Sequence, residues 1–96
     1  MITVRQTGEF AGWLKSLRDE RAAAKIAQRI VRVQSGLPGD VKPVGEGVSE
    51  LRIDHGPGYR VYFARRGLVL VILLCGGDKG TQKADIRRAK QMAADL

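Results

Sequence analysis

The stretch LVLVILLCGGDK at residues 68–79 decides the fold. Its first eight residues are apolar without interruption, and Gly67 and Gly76 flank them. A run this short cannot span a bilayer, which needs ~20 apolar residues. Its Val, Ile and Leu content predicts a strand over 68–75 that is buried on both faces in the middle of a sheet. The polar residues that follow, 76–79, then lie at one end of the sheet, where functional side chains are often placed.

The composition is that of one small basic domain. The chain has 96 residues, 44% of them hydrophobic, and its 17 Lys and Arg against 10 Asp and Glu give a formal net charge of +7. This length predicts a single domain, 1–96, with one sheet layer and one helix layer. The charge favours an anionic partner, which could be nucleic acid, an acidic protein or an anionic membrane, although charge also serves solubility alone.

Several kinds of site are not expected. Cys75 is a single cysteine, so it cannot form an internal disulfide, and its place in the apolar run predicts a small buried hydrophobe. With one His and one Cys, neither a metal site nor a cofactor is expected. The sequence MITVRQTGEF has no apolar signal region, and no transmembrane run follows, so a cytoplasmic location is expected.

Two amphipathic helices are predicted before the strands. Ile2–Gln6 alternates apolar and polar residues, which predicts a short edge strand. Thr7 is expected to cap the first helix, whose apolar stripe is Phe10, Trp13, Leu14 and Leu17, with Trp13 in the core rather than stacked on a base. Asp19 is expected to cap the second helix, which ends at Gly36 and has the apolar face Ala23, Ile26, Ala27, Ile30 and Val33. The Gly- and Pro-rich residues 36–47 are predicted to form a loop.

A stripe of cations follows the second helix opposite its apolar face: Arg18, Arg21, Lys25, Arg29 and Arg32. Like charges at i, i+4 cost a few tenths of a kcal/mol each. A bound phosphate or acidic chain would compensate that cost, whereas an ordinary solvated helix face is the alternative.

Three strands joined by short turns predict an antiparallel meander. In the first two, 48–54 and 59–65, alternation places one set of apolar residues toward the helices: Leu51, Ile53, Val61 and Phe63. The other set is expected on an open face, where Lys79 joins it from the end of the third strand: Glu50, Arg52, Arg60 and Tyr62. Thr81 is expected to cap a last helix with the apolar face Ile86, Ala89, Ala93 and Leu96.

This polar group suits phosphodiester transfer, although a half-exposed sheet also carries mixed polar residues as ordinary surface. Arginine offers phosphate oxygens a planar fork that stays charged. Fixed cations stabilise charge that develops on those oxygens. A carboxylate or imidazole can accept the proton of an RNA 2′-hydroxyl, and a lysine can donate one to the leaving oxygen, with no metal required.

Three motifs resemble the RelE/ParE superfamily of toxins from type II toxin–antitoxin pairs: ELRID at 50–54, GYRVYFAR at 58–65 and LLCGGDKGTQKADIRRA at 73–89. The last is similar to the HigB-like, addiction-module-killer branch. The resemblance covers nearly the whole chain. It implies an α+β, microbial-ribonuclease-like domain with a mainly antiparallel sheet, two N-terminal helices on one face and a short C-terminal helix.

The resemblance also implies site residues. Arg60 matches the arginine that contacts the scissile phosphate, Arg52 matches a basic position on the preceding strand, and Lys79 matches a general acid. Glu50 falls where one branch has a catalytic glutamate. A tyrosine or histidine found near the C-terminus in several branches is missing, and Asp85 falls nearby. The expected catalytic residues are thus Glu50, Arg52, Arg60 and Lys79, and the expected substrate contacts are His55, Tyr62, Gln82, Lys83, Asp85 and Arg87.

The activity that the resemblance implies is cleavage of messenger RNA in the ribosomal A site, which inhibits translation. The implied partner is a HigA-like antitoxin from the adjacent gene, expected to cover Arg21, Lys25, Arg29 and Arg32. No membrane partner is expected. Two alternatives stay open, a ParE-like poison of DNA gyrase and a non-catalytic RNA-binding module.

Overall fold

The computed structural model describes residues 2–96, which form one five-stranded sheet and three α-helices. The strands are β1 Thr3–Gln6, β2 Val41–Gly45, β3 Val48–Ile53, β4 Tyr59–Arg66 and β5 Leu70–Asp78. The helices are α1 Gly8–Ser16, α2 Glu20–Gln34 and α3 Gln82–Ala94, and a 3₁₀ turn, Lys79–Thr81, joins β5 to α3. The strand order is β1-β5-β4-β3-β2, and only the β1–β5 pair is parallel. The predicted α+β class and mainly antiparallel sheet are confirmed.

Strand β5 lies inside the sheet, between β1 and β4, as the apolar run predicts. Its predicted bounds are wrong at both ends. Leu68 and Val69 belong to the preceding turn and are 83% and 61% exposed, because the chain reverses at Gly67, whose φ is +67°. At the other end, cross-strand pairing with β4 keeps the backbone extended through Gly76, Gly77 and Asp78.

The prediction of a loop over 36–47 is also wrong, because β2 lies within it. This strand pairs antiparallel with β3 and forms the edge of the sheet. Pro43 is tolerated there, since an edge strand leaves half of its backbone groups unpaired. Two of the glycines, Gly45 and Gly47, have positive φ angles of 101° and 76° and allow the tight turn into β3.

Helices cover both faces of the sheet, so the prediction of one helix layer is wrong. On the first face α1 and α2 bury Phe10, Ile26 and Val33 against the apolar row Leu51, Ile53, Val61 and Phe63, as predicted. On the second face α3 buries Ala89 and Ala93 against Val48, Tyr62, Ala64 and Leu74. The small alanines let α3 lie close to the sheet. None of the helices described within residues 2–96 is long and apolar enough to cross a membrane.

Two of the three predicted helix N-caps are confirmed. The Thr7 hydroxyl accepts a hydrogen bond from Phe10 N at 3.0 Å and donates one to the carbonyl of Leu74 at 2.6 Å. Asp19 accepts hydrogen bonds from the backbone N–H groups of Arg21 and Ala22. The predicted Thr81 cap is wrong: Thr81 occupies the N-cap position of α3 but makes no side-chain cap bond, and its hydroxyl instead donates to Asp85.

The predicted apolar faces of the two longer helices differ from the observed ones at their margins. On α2, Ala22 is buried whereas Ala27 is exposed. Leu96, expected on the buried face of α3, is 57% exposed because the helix ends at Ala94.

Gly76 and Gly77 are packed against the helices on opposite faces of β5. A Cβ atom on Gly76 would overlap the ring of Trp13, and one on Gly77 would overlap the carboxylate of Asp85. Trp13 is half-buried, with ring centroids 5.8 Å from Phe10 and 6.2 Å from Tyr59. Its predicted place in the core is therefore confirmed.

Candidate functional site

Four polar side chains form two cross-strand pairs on the α3 face of β3 and β4. Glu50 pairs with Tyr62, and Arg52 pairs with Arg60. The alternation predicted from the sequence thus places all four on one face. Two arginines directly opposite each other repel, so this pair requires a neighbouring anion.

That anion is Glu50, whose side chain is 0% exposed. Its Oε1 accepts a hydrogen bond from Arg52 Nε at 3.0 Å and lies 3.6 Å from Arg60 Nε. Its Oε2 accepts hydrogen bonds from the Tyr62 hydroxyl at 3.0 Å and from Gln82 Nε2 at 2.7 Å. The predicted open face is therefore closed at Glu50 and Tyr62, because the first turn of α3 covers them.

The surroundings of Glu50 favour its ionised form. Burial alone would raise the pKa of this carboxyl, but hydrogen bonds from Gln82, Arg52 and Tyr62 outweigh burial and lower it. Burial and the charge of Glu50 raise the pKa of Tyr62 far above its ordinary range, so the phenol stays protonated and acts as a donor.

The unfolding free energy is expected to fall more steeply in acid for the wild-type protein than for a Glu50→Gln variant. Since the pKa of Glu50 is lower in the folded protein than its ordinary value of 4.5, its ionisation stabilises the fold above that pH. This contribution is lost as the pH falls through the folded-state pKa. Urea unfolding from neutral pH to about pH 3 measures the difference. Parallel curves for the two proteins would contradict the assignment.

Arg60 is held at the edge of this buried cluster. Its side chain is 13% exposed, and its Nη1 donates hydrogen bonds to the carbonyls of Gly58 at 3.1 Å and Tyr59 at 3.2 Å. Its Nε is buried without a hydrogen-bond partner. The guanidinium is therefore fixed by the start of β4 and the turn that precedes it rather than free in solvent.

Arg52, Arg60 and Lys79 line one open cleft of about 400 Å³. Lys79 also lines an adjoining cleft of about 520 Å³, together with Lys83 and Arg87. The structure thus brings the three predicted catalytic cations together and continues the positive charge along the N-terminal part of α3. Such a trough can hold consecutive phosphate groups of an extended anion.

Two carboxylates that sequence reasoning missed line the same cleft, Asp40 and Asp54. Both are exposed. The period-2 pattern of the strand places Asp54 on the same face as Glu50 and Arg52, although Asp54 was not among the expected site residues. Asp40 could not have been found, since it lies where the sequence predicted a loop.

The other predicted substrate contacts have partners within the protein. His55 Nε2 lies 2.9 Å from Asp19 Oδ2, outside the cleft lining, and the hydrogen bond from His55 holds the pKa of Asp19 below its usual value. Asp85 accepts the hydroxyl of Thr81 and packs on Gly77. Tyr62 and Gln82 lie beneath the arginines as donors to Glu50.

The cation stripe on α2 is not uniform. Arg29 donates hydrogen bonds to the carbonyls of Pro38, Asp40 and Arg52, and burial lowers its pKa from the ordinary value. The expectation of a stripe of unpaired cations is therefore wrong for Arg29, which ties α2 to the sheet. Arg21, Lys25 and Arg32 are exposed.

Cys75 is buried in the core, as predicted. Its Sγ faces the carbonyl of Asp85 at 3.8 Å, and burial raises the pKa of the thiol to about 12. A thiol with so high a pKa is not an activated nucleophile at neutral pH.

This fold and this site together define a class of protein: a small basic α+β domain with a cationic cleft at the end of its central strands. Residues 12–94 match the family described as Phage derived protein Gp49-like (DUF891). The chain therefore belongs to this family, which is of the RelE and addiction-module-killer type and is related to the toxins of toxin–antitoxin pairs. An uncharacterized protein of Haemophilus influenzae is 54% identical over 95 residues, covering 99% of this chain and 96% of the relative.

Proposed function

We propose that this chain is the toxin of a type II toxin–antitoxin pair and a metal-independent endoribonuclease that cuts messenger RNA in the cytoplasm. The observation that carries the proposal is the convergence of Arg52, Arg60 and Lys79 on one open cleft above a buried carboxylate. Membership of a toxin-type family supports the toxin role. The HigB-like motif at 73–89, which supplies Lys79 and the start of α3, supports that branch and its action at the ribosomal A site.

In the proposed reaction, Arg60 and Arg52 hold the scissile phosphate and stabilise the charge that grows on its oxygens. The RNA 2′-oxygen attacks phosphorus and forms a 2′-O–P bond while the P–O5′ bond breaks. The 2′-hydroxyl proton passes to a carboxylate in the cleft, for which exposed Asp54 is our candidate, and Lys79 gives a proton to the 5′-oxygen. Lys83 and Arg87, in the adjoining cleft, bind the neighbouring phosphates.

Mapping RNA ends in a translation extract tests this function. Purified protein should produce discrete cuts within translated messages. Intact messages together with gyrase-cleaved DNA would instead support a gyrase poison. Intact messages with retained RNA would support a binding module. Either of the last two results would overturn the nuclease proposal.

The proposed partner is a HigA-like antitoxin encoded by the adjacent gene. Its acidic or amphipathic segment would cover the exposed cations of α2, Arg21, Lys25 and Arg32. Arg29 is better regarded as a support for this surface, since its guanidinium already binds three carbonyls.

Reversing the charge at Arg21 and Lys25 together should weaken the antitoxin complex by on the order of tenfold at low salt, because exposed ion pairs contribute little individually. The variant should also show a flatter dependence of affinity on salt. Calorimetry across a salt series measures both effects. Lys42→Glu, an exposed change on β2, is the control. Because the control changes the net charge by half as much, a loss of binding free energy half as large in the control would show that net charge alone matters.

A further inference from the structure

Among residues 2–96, which the structure describes, Glu50 is the one charged residue that is buried. Its surroundings determine what it can do. Oε1 faces the two arginines, and Oε2 accepts hydrogen bonds from Tyr62 and Gln82. Both carboxylate oxygens are therefore already engaged by donors of the protein.

A proton acceptor must come within about 3 Å of the proton it removes. An RNA 2′-hydroxyl could reach Glu50 Oε2 only by displacing Tyr62 or Gln82, and it could reach Oε1 only past the arginines. The hydrogen bonds also stabilise the carboxylate as an anion, which weakens it as a base. Neither access nor basicity fits proton transfer.

Holding the arginines is a task that the geometry fits well. Arg52 and Arg60 are directly opposed across β3 and β4, and Glu50 stands beside both, so its charge offsets their repulsion. Its hydrogen bond also orients the Arg52 guanidinium. Without this charge, nothing beside the two cations would offset their repulsion.

We propose that Glu50 is a positioning residue that sets Arg52 and Arg60 for one phosphate group of RNA and takes no part in proton transfer. This inference rests on the proposed function. It also gives Gln82 a role, because Gln82 is the first residue of α3 and its amide fixes the far oxygen of Glu50. The seating of α3 on the sheet thereby sets the carboxylate, and through it the cleft.

The test compares wild type with Glu50→Gln, which keeps the side-chain shape and removes the charge. The probe is an RNA oligonucleotide with a 2′-deoxy sugar at the cleaved position, which binds but cannot react. A positioning role predicts binding weakened on the order of tenfold, since charge-assisted hydrogen bonds are about twice as strong as neutral ones. Residual cleavage should keep the wild-type inflections in its pH–rate profile.

Proton acceptance by Glu50 predicts the opposite pattern. Removing an anion beside a phosphate site would leave probe binding unchanged or tighter, while cleavage would be lost together with the acidic limb of the pH–rate profile. That pattern would overturn the proposal. Glu20→Gln, at an exposed position in the first turn of α2, is the matched control and should change neither readout.

A second variant covers the case in which Glu50→Gln does not fold. The exchange Glu50→Gln with Gln82→Glu allows a hydrogen bond between the two side chains and moves the negative charge across it, from position 50 to position 82. It should fold and recover part of the probe binding. A folded exchange variant that binds no better than Arg60→Ala would count against positioning.

A readout without RNA separates this inference from the nuclease proposal. The Arg52 Nε–H signal in the ¹⁵N NMR spectrum should be slow to exchange in wild type, and it should shift and broaden when residue 50 loses its charge. An unchanged signal would overturn the positioning role. If the wild type binds the probe but cuts no message, the nuclease proposal fails, while the binding and NMR comparisons still decide the role of Glu50.

Discussion

Arg60→Ala should lower the rate of RNA cleavage by on the order of 10²–10³-fold, which is the usual effect of removing one donor to a developing oxyanion. The expectation follows from its fixed position in the cleft, beside Arg52 and Lys79. Primer extension on translated messages measures the cut fraction over time. Expression in a growing culture gives the matching readout, because a variant without cleavage should no longer arrest growth.

The structure changes what this substitution should do to stability. A surface arginine would contribute little, but Arg60 is 13% exposed and donates to the carbonyls of Gly58 and Tyr59. Its removal should cost about 1–3 kcal/mol of unfolding free energy, since those acceptors lose a charged donor. Arg60→Lys keeps the positive charge but loses the planar guanidinium that can donate two hydrogen bonds to one phosphate. Arg65→Ala changes an exposed arginine on the same strand and serves as the control. Full toxicity of a folded Arg60→Ala protein would mean that the cleft is not the reaction site.

Gly76→Ala should destabilise the fold by roughly 1–3 kcal/mol, the usual cost of adding a methyl group where the core has no room. The added Cβ atom would overlap the ring of Trp13, and the indole would have to leave its place beside Phe10 and Tyr59. Urea unfolding followed by tryptophan fluorescence reports both the stability and the surroundings of this ring, since Trp13 is the one tryptophan in the sequence.

Gly12→Ala is the matched control for that substitution. No atom lies within 4 Å of a Cβ built on Gly12, and the residue lies within α1, so alanine there should be neutral or stabilise by up to ~1 kcal/mol. A double variant, Gly76→Ala with Trp13→Leu, should cost less than the sum of its parts because the smaller side chain relieves the overlap. If Gly76→Ala unfolds at the wild-type urea concentration, Trp13 does not pack on this glycine.

Short sequence patterns predicted the caps of α1 and α2 and the faces of the strands correctly, because interactions between residues close in sequence determine both. Thr7 and Asp19 cap α1 and α2 because a side-chain oxygen next to a helix start meets unpaired N–H groups whatever the rest of the chain does. The alternation in 48–65 placed Glu50, Arg52, Arg60 and Tyr62 on one face because successive strand residues point to opposite sides.

Features that depend on distant contacts were not predictable in the same way. Strand β2, VKPVG, contains Pro43 and Gly45, two residues that disfavour strands, and pairing with β3 rather than its own propensity makes it a strand. The burial of Glu50 depends on where α3 lies, and the sequence of α3 does not say which face of the sheet it covers. Arg29 carries the same charge and has the same spacing as the exposed cations of α2. Its hydrogen bonds to three carbonyls distant in sequence set it apart, and the sequence does not show where those carbonyls lie.

The pairing of β1 with β5 also bears on the order in which the chain folds during synthesis. The Thr7 hydroxyl meets the carbonyl of Leu74, a partner 67 residues away. A growing chain therefore carries β1 and the start of α1 without their β5 partners until β5 has been made. Contacts this distant in sequence slow folding and leave the nascent chain open to aggregation or to early capture by a partner. The cleft that includes Lys79 is completed only after that point, so an unfinished chain should lack the proposed site.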